Sequence, residues 1–447
     1  GAGRRSGGGV WSMREMKDSG IEWIGELPIG WETRKIKYVA TLNGRIGWQG
    51  LTSSEYCDDG AYLITGINFD NGQIDWSTCV HVPMERWAEA PQIQIQNGDL
   101  LITKDGTVGK VAIVSNMPSE TSLNSGVLLI RTVDSCYKKY LFWILQSEIF
   151  WKWFNTINAG NSTIIHLYQY DFCNFSFPFP KYSLQCNIAN YLDRKCSQID
   201  AIIARQQEVI EKLKAYKLSV ITEAVTKGLK PDVPMKDSGV EWIGEIPEHW
   251  ILNKLKYLSL DIGDGIHATP TYDVDGNIYF VNGNNIGEEY LVFKEDTNAI
   301  SDTEYASYKL PLLTENTVFI TLNGATYGKT SFYHGEKVLL GKSAGFITLK
   351  STESREFIRY YLQSYTAKLI MDLSLLGSTI ANLSLRTLRD FVIPYPPKEE
   401  QIQIVNHLNN RTSGIDAAIS KKKKIVDELI DYKKSLIYEV VTGKKEV

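Results

Sequence analysis

A segment of sixteen residues occurs twice in this chain, and that repetition restricts the folds open to it. The sequence MKDSGIEWIGELPIGW at 16–31 returns as MKDSGVEWIGEIPEHW at 235–250. A match of this length does not arise by chance, and a repeat fixes the architecture before any single element is considered. The sequence therefore predicts two equivalent halves.

Shorter matches follow in the same order in both halves. They pair Ile102-Thr103 with Ile320-Thr321, Gly109-Lys110 with Gly328-Lys329, Ser162-Thr163-Ile164 with Ser378-Thr379-Ile380, Gln185 with Gln401, and Ile199-Asp200-Ala201 with Ile415-Asp416-Ala417. Because the order is kept, the duplication extends over the whole chain.

Each half contains a variable block followed by a helical stretch. The blocks hold short β-like runs such as Leu100-Leu101-Ile102-Thr103 and Val318-Phe319-Ile320-Thr321, separated by turn signals such as Asp70-Asn71-Gly72. Each block ends in a predicted helix, at 138–155 and 353–373. This pattern predicts a compact α+β domain with a mixed sheet in each half.

A long helix with heptad spacing follows each block. The predicted apolar stripes are Leu192, Ile199, Ile202, Val209, Leu213, Tyr216 and Val220 in the first helix, and Leu408, Ile415, Ala418, Ile425, Leu429, Tyr432 and Leu436 in the second. Two such helices of one chain pair most simply as an antiparallel coiled coil. The predicted fold class is therefore α+β, with two α/β domains separated by two long antiparallel coiled-coil helices and an internal pseudo-two-fold repeat.

The predicted boundaries follow from the repeat. Residues 1–12 are Gly-rich and expected to be unstructured or an addition to a natural chain that starts at Met13 or Met16. The first domain spans 13–182, the first long helix 183–230, the second domain 231–397 and the second long helix 398–447.

Composition indicates a cytoplasmic protein. No apolar run is long enough to span a membrane, and no signal peptide is visible. The six cysteines lie in the first half without CxxC spacing, so we expect free, buried thiols in a reducing compartment. The net charge of −4 is not the basic excess that is typical of nucleic-acid-binding proteins. A nucleic-acid reader with this balance concentrates positive charge locally or relies on a partner for phosphate contacts.

Motifs for catalysis are missing from both halves. The segment Gly324–Thr330 has three residues between its glycines where a phosphate loop needs four, and the histidines form no metal-binding motif. We therefore predict no catalytic residue and no metal site. Besides a non-catalytic protein that binds nucleic acid, two hypotheses stay open at this point: an enzyme that acts on nucleic acid unaided, and a repeat protein that binds only other proteins.

The repeated motifs resemble the specificity (S) subunits of type I restriction–modification systems. The resemblance is carried by EWIGELPIGWE, GRIGWQGLTSSEY at 44–56, GDGIHATPTYDVDG at 263–276, the twin Ser-Thr-Ile segments, and QIDAII and GIDAAI, and it covers the chain from Met13 onward. It implies two target-recognition domains that read the halves of a bipartite, asymmetric DNA target. It also implies two methyltransferase (M) subunits that bind S-adenosylmethionine and methylate adenine N6. Two restriction/translocase (R) subunits that use ATP and Mg²⁺ can join, and this chain binds no cofactor itself.

Candidate DNA contacts follow from the chemistry of readout. Arg, Lys, Asn and Gln read base edges in the major groove, and phosphates favour Lys, small hydroxyls and backbone N–H groups. The candidates in the first half are Arg45, Trp48, Gln49, Lys104, Thr107, Lys110, Ser162 and Thr163. The candidates in the second half are His267, Thr269, Asn284, Asn285, Asn323, Lys329, Lys342, Ser378, Thr379 and Arg386.

Each candidate also has an ordinary structural interpretation. A loop Lys or Arg is usually only solvated, Trp48 is more often a core residue than a stacking platform, and His267 can simply close a turn. The Ser-Thr pairs are either helix caps or N–H groups free to bind a phosphate.

Overall fold

A computed structural model describes residues 15–47, 50–159, 165–324, 326–375 and 382–447 of the chain. The contacts divide it into two compact units. The first comprises the described residues up to Gln206 together with Ile425–Val447, and the second comprises those in Gln207–Lys424. The N-terminus that we predict to be unstructured lies outside the described residues. No helix in these ranges is long and apolar enough to cross a membrane.

The first unit is a mixed α+β structure. Its strands are β1 Met16–Asp18, β2 Glu26–Pro28, β3 Glu32–Lys35, β4 Ala40–Gly44, β5 Ala61–Ile64, β6 Phe69–Asp70, β7 Gln73–Ile74, β8 Val80–Val82, β9 Leu100–Thr103, β10 Val111–Ile113, β11 Thr121–Leu123, β12 Val127–Thr132 and β13 Ser176–Phe179. Its helices are α1 Met84–Ala88, α2 Lys138–Gln146, α3 Glu148–Ile157, α4 Gln169–Phe172 and the first part of α5, Tyr182–Lys227.

The second unit repeats this order. Its strands are β14 Met235–Asp237, β15 Glu245–Pro247, β16 Ile251–Lys254, β17 Ser259–Asp264, β18 Ile278–Val281, β19 Ala299–Ile300, β20 Thr317–Thr321, β21 Thr330–Phe332, β22 Val338–Leu340, β23 Ala344–Leu349 and β24 Val392–Tyr395. Its helices are α6 Leu255–Leu258, α7 Asp302–Ala306, α8 Arg355–Gln363, α9 Tyr365–Leu375, α10 Leu385–Asp390 and most of α11, Lys398–Val441.

The sheets of the two units have the same topology. An antiparallel four-stranded sheet has the order β10-β9-β12-β4 in the first unit and β21-β20-β23-β17 in the second. A second, three-stranded sheet combines one parallel with one antiparallel pairing, in the orders β11-β5-β8 and β22-β18-β19. The predicted α+β class with an internal repeat is confirmed.

The predicted helix at the end of each block is in fact two helices. Ser147 separates α2 from α3, and Ser364 separates α8 from α9. Both hydroxyls are buried and donate at 2.6 Å to the carbonyl three residues earlier, at Ile144 and Tyr361. A serine that bonds its own helix competes with the backbone ladder, which accounts for the break that apolar periodicity does not reveal.

The repeated segment packs against the end of a long helix in each unit. Trp31 shares a core with Val440 and Val441 at the end of α11, and Trp250 shares one with Ala224 and Val225 at the end of α5. Trp250 is fully buried, and its Nε1 donates to Glu400 Oε2 at 2.8 Å. The segment is therefore the part of each unit that holds a helix end, which explains its apolar residues.

The long helices run antiparallel within each unit. Lys217 Nζ lies 2.6 Å from Asp416 Oδ2 in the second unit, and Lys433 Nζ lies 2.7 Å from Asp200 Oδ1 in the first. These pairs occupy equivalent repeat positions. In each pair, a residue in the N-terminal half of one helix contacts a residue in the C-terminal half of the other, as antiparallel helices require. The predicted antiparallel pairing is confirmed inside each unit.

The predicted apolar stripe is partly wrong. Ile202, Tyr216 and Tyr432 are each about half exposed, at 46%, 48% and 52%. The inward positions alternate by four and three residues through Ile199, Ile203, Gln206, Ile210, Leu213 and Lys217. Lys217 and Lys433 of the two ion pairs therefore lie inward, whereas an apolar pattern assigns the inward positions to Tyr216 and Tyr432.

The six cysteines are free thiols, as expected, although only Cys136 and Cys196 are buried. Burial raises the pKa of the Cys136 thiol to about 12 and that of Cys196 to about 11. Such thiols stay protonated and unreactive at neutral pH. The remaining four, Cys57, Cys79, Cys173 and Cys186, are half-buried, so the expectation of burial is wrong for them.

Candidate nucleic-acid interface

A hairpin loop closed by an equivalent backbone hydrogen bond follows one central strand in each unit. The backbone N–H of Thr103 donates to Lys110 O at 2.9 Å, and that of Thr321 donates to Lys329 O at 2.8 Å. The glycine before each lysine has a positive φ, 85° in the first unit and 79° in the second, which other residues rarely adopt. The loops therefore hold Lys110 and Lys329 at equivalent, exposed positions.

Three loops of the first unit meet beside this hairpin. The N–H of Lys104 donates to Gly126 O at 2.8 Å, and Lys104 O accepts from the N–H of Leu167 at 2.9 Å. We call the surface formed by 104–110, 124–126 and 165–167 the first loop edge. Lys104 is half-buried there with Nζ 3.9 Å from Asp105 Oδ2, whereas Thr107 is exposed.

The second unit has a corresponding second loop edge, formed by 322–324, 326–329, 341–343 and 382–383. The N–H of Leu383 donates to Leu322 O at 2.7 Å, and the N–H of Leu322 donates to Ser343 O at 3.0 Å. Ser343 Oγ in turn accepts from the N–H of Gly283 at 2.8 Å, so the turn that carries Asn284 adjoins this edge. The stretch leading to His267 adjoins it too, because the N–H of Ile266 donates to Leu340 O at 2.8 Å.

The two loop edges differ in chemistry at one equivalent position. In the first, His166 Nδ1 lies 2.6 Å from Asp105 Oδ1. In the second, Asn323 and Asn382 occupy the corresponding places and form an isolated antiparallel bridge. An ionisable pair in one unit thus replaces two amides in the other, on the same scaffold.

A family model decides what these paired edges belong to. The model described as "Type I restriction modification DNA specificity domain" matches residues 28–212 and 269–427. These two regions contain both loop edges and most of both long helices.

The chain belongs to the type I restriction–modification specificity family. It is a DNA sequence specificity subunit of a type I system.

Relatives of full length support the assignment. A Methanocaldococcus jannaschii protein assigned as the MjaX type I specificity subunit is 26% identical over 438 residues, covering 95% of this chain and 96% of the relative. The EcoKI specificity subunit of Escherichia coli K12 is 22% identical over 437 residues, covering 94% of this chain and 90% of the relative.

A solved structure shares the fold. A chain from a structure described as "Structural basis underlying complex assembly and conformational transition of the type I R-M system" matches with a TM-score of 0.69 at 17% identity. The match covers 94% of this chain and 99% of that chain.

Arg45 of this specificity subunit points inward. Its side chain is 6% exposed, its Nε donates to Leu123 O at 2.8 Å, and a terminal nitrogen donates to Ser122 Oγ at 2.9 Å. Burial, with the nearby Arg86 cation, lowers the pKa of Arg45. The side chain ties the end of β4 to β11, so its first role is to position the loop that follows it, and a DNA contact stays a prediction.

Asn285 also has a structural role. Its Oδ1 accepts from the N–H of Asn282 at 2.9 Å, and its Nδ2 donates to Val292 O at 3.1 Å. Asn68 has the same structural role in the first unit, where its Oδ1 accepts from the N–H of Thr65 at 2.7 Å. These bonds shape the turn and leave the neighbouring Asn284, which is exposed, as the freer group for a ligand.

The other candidates of the second unit lie on the surface. His267 is exposed and its Nε2 lies 2.8 Å from Asp264 Oδ2, while Thr269 and Lys342 are exposed in loops. Arg386 is exposed on α10, which begins two residues after Leu383 of the second loop edge. Trp48, Gln49, Ser162, Thr163, Ser378 and Thr379 lie outside the described residues. None of these contacts with DNA is tested by the structure, and all stay predictions.

Sequence reasoning missed the Asp105–His166 pair and Ser343. His166 follows the first Ser-Thr-Ile segment by two residues, and Asn382 follows the second by the same interval. Aligning the two copies position by position would have singled out this pair as a place where the halves differ. Ser343 offered no comparable sequence signal, because its partner Gly283 is 60 residues away.

Proposed function

We propose that each unit reads one half of a bipartite, asymmetric DNA target through its loop edge. The observation that carries this proposal is the equivalence of the two edges together with their different chemistry. Equivalent backbone hydrogen bonds frame the two edges, but Asp105 and His166 stand where the other edge has Asn323 and Asn382. Asp accepts from cytosine N4, and Asn pairs with adenine N6 and N7, so the halves are suited to different bases.

Positive charge at each edge supports a phosphate role for the lysines. Lys110 and Lys329 are exposed at equivalent hairpin positions, and Lys342 lies beside Ser343 on the second edge. Contacts from such side chains supply affinity and register rather than sequence information. With an overall charge of −4, the chain needs these local cations, and partner subunits contribute further phosphate contacts.

The chemistry belongs to partner subunits in this proposal. Two methyltransferase subunits bind S-adenosylmethionine and methylate adenine N6, and in systems that restrict DNA two translocating restriction subunits add ATP- and Mg²⁺-dependent cleavage. The specificity subunit itself is non-catalytic and works in the cytoplasm. Family membership supports this division of labour.

The test measures DNA binding and methyl transfer in separate reactions. The purified chain, its cognate methyltransferase, and the two together are each incubated with target DNA and labelled S-adenosylmethionine. We expect methylation only when both proteins are present. Methyl transfer by the chain alone would contradict the non-catalytic role. Equal affinity of the assembled complex for target and scrambled DNA would contradict the reading role.

A further inference from the structure

Exposed apolar side chains border the first loop edge. The most prominent are Ile67, which is 79% exposed, and Tyr170, which is 80% exposed. Among the large hydrophobic side chains of the described residues, only Val274 is more exposed. Tyr168, at 61%, and Ile165, at 43%, belong to the same surface. We call Ile67, Ile165, Tyr168 and Tyr170 the apolar border.

Ile67 lies in a turn that is equivalent to the one carrying Asn284. Both are single 3-10 turns, Gly66–Asn68 in the first unit and Gly283–Asn285 in the second, and Ile67 and Asn284 are their middle residues. The first of these turns adjoins the first loop edge, because a β-carbon at its leading glycine would lie 3.5 Å from Thr107 Oγ1. An apolar side chain therefore stands where the second unit has an exposed amide.

The two tyrosines lie at the start of α4 and correspond to polar residues at the start of α10. Tyr168 corresponds to Ser384, and Tyr170 corresponds to Arg386. The first backbone hydrogen bond of each helix ends on the carbonyl of Tyr168 or Ser384, at 2.9 and 3.1 Å. Tyr168 directly follows Leu167, whose N–H ties this segment to the first loop edge. Aromatic rings therefore replace a hydroxyl and a guanidinium at equivalent positions.

These apolar side chains bring no local benefit to the fold. Ser384 caps α10, because its Oγ accepts from the N–H of Thr387 at 3.0 Å, whereas the side chain of Tyr168 makes no capping bond to α4. Serine is favoured at such a position for this reason. Large apolar groups that are exposed together on one surface mark a contact site for a ligand. The apolar border is therefore suited to bind the same ligand as the loop edge it adjoins.

Duplex DNA presents one apolar group on its base edges, the 5-methyl group of thymine in the major groove. Apolar side chains contact this methyl group, whereas Asn pairs with adenine and Arg pairs with guanine. Ile67 and the ring of Tyr170 thus match thymine at positions where Asn284 and Arg386 match purines. An exposed lysine of the same edge, Lys110, is suited to the neighbouring phosphates.

We infer that the first unit recognises thymine in its half-site through the 5-methyl group, which contacts Ile67 and the ring of Tyr170. The second unit uses hydrogen bonds from Asn284 and Arg386 at the equivalent positions. The inference rests on the proposed function and adds a specific chemistry to it. The half-site of the first unit contains thymine, and the methyl group of that thymine contributes to affinity.

Replacement of thymine by uracil tests the inference, because it removes only the methyl group. The full chain is assembled with its cognate methyltransferase, methylome sequencing gives the target, and exchange of the block 235–394 assigns each half-site to its unit. Affinity is then measured by competition fluorescence anisotropy. Uracil in the half-site of the first unit should weaken binding roughly fourfold for each contacted methyl group, the effect of one buried group of that size. Uracil in the other half-site should leave the affinity unchanged.

Matched variants locate the contact. Ile67→Asn and Tyr170→Ala should each reduce the loss of affinity that uracil causes, and the double variant should abolish it. Tyr170→Phe keeps the ring and should retain the full uracil effect. Ile29→Asn is the control, because Ile29 is 59% exposed in the repeated segment and should not alter the uracil effect. Circular dichroism checks that each variant is folded.

The outcomes separate the two proposals. A complex that prefers its target but tolerates uracil in the first half-site, or a first half-site without thymine, would overturn the inference and leave the proposed function intact. An undiminished uracil effect in Ile67→Asn/Tyr170→Ala would also overturn the inference, because other residues would then contact the methyl group. Weaker binding of the methyltransferase by this variant, with the uracil effect intact, would assign the apolar border to the partner protein instead. Equal affinity for target and scrambled DNA would contradict the proposed function itself.

Discussion

Asp105 Oδ1 lies 2.6 Å from His166 Nδ1 at the first loop edge, and Asn323 and Asn382 take the corresponding places at the second. The pair joins two loops that are 61 residues apart in the sequence. The surrounding backbone hydrogen bonds are equivalent, so the two side-chain pairs occupy corresponding places on the two edges. This position is therefore where the two halves of the specificity subunit most clearly diverge on a common frame.

The first prediction concerns this pair. Asp105→Asn replaces an acceptor-only carboxylate with an amide, as in the second unit. We expect a changed or relaxed preference in one half-site and an unchanged preference in the other. Competition binding with DNA libraries randomised in each half measures this, with Asn323→Asp as the reciprocal variant. Equal changes in both halves would show that the pair does not belong to one half-site.

The second prediction concerns Lys329, which is exposed at the second hairpin. Each phosphate contact releases about one counterion, so Lys329→Ala should lower the slope of log affinity against log salt by about one. Lys104→Ala should have a smaller effect, because that side chain is half-buried beside Asp105. Affinity measured by fluorescence anisotropy over a salt series tests both. An unchanged slope with an altered target would assign Lys329 to base readout.

A third prediction tests the role of the repeated segment in stability. Trp250 is fully buried against the end of α5, and Trp→Ala changes in a core cost about 3–5 kcal/mol. Glu400→Gln keeps the packing but replaces the charged acceptor of Trp250 Nε1, so it should cost only about 1 kcal/mol. Urea unfolding followed by circular dichroism measures both. A cost for Trp250→Ala below that of Glu400→Gln would refute the packing role.

The fourth prediction concerns the ion pair between the long helices. Reversing one charge, as in Lys217→Asp, places two carboxylates together, and the exchange Lys217→Asp/Asp416→Lys restores attraction. Because both side chains are partly exposed, the coupling free energy should be only about 0.2–1 kcal/mol. A double-mutant cycle in thermal or urea unfolding provides the value. Strictly additive effects would show that the observed contact contributes no coupling.

The sequence was sufficient for the architecture because duplication and long-range periodicity are strong signals. The first long helix was predicted at 183–230 and spans Tyr182–Lys227. The strands predicted at 100–103 and 318–321 are found at Leu100–Thr103 and Thr317–Thr321, since buried apolar runs bounded by turns define them. The register of the helix seam was less predictable, because Lys217 and Lys433 take inward positions that an apolar pattern gives to Tyr216 and Tyr432.

Side-chain roles at the loop edges were harder to predict for a physical reason. Residue type indicates what a group can bond, but its partner is set by loops distant in sequence. Arg45 therefore bonds Leu123 and Ser122 within the unit, and Asn285 shapes its own turn. Exposed residues such as Asn284 and Lys342 lie on adjoining loops, so they can contact the same ligand. Their contacts with DNA stay predictions.

The most direct test of the central claim is methylome sequencing of cells that carry this subunit with its methyltransferase. We expect N6-methyladenine in one bipartite motif with two different half-sites. Exchanging the block 235–394 for that of a relative should change one half-site and leave the other intact. A motif without two separate halves, or one whose halves both change on this exchange, would contradict the claim that each unit reads its own half-site.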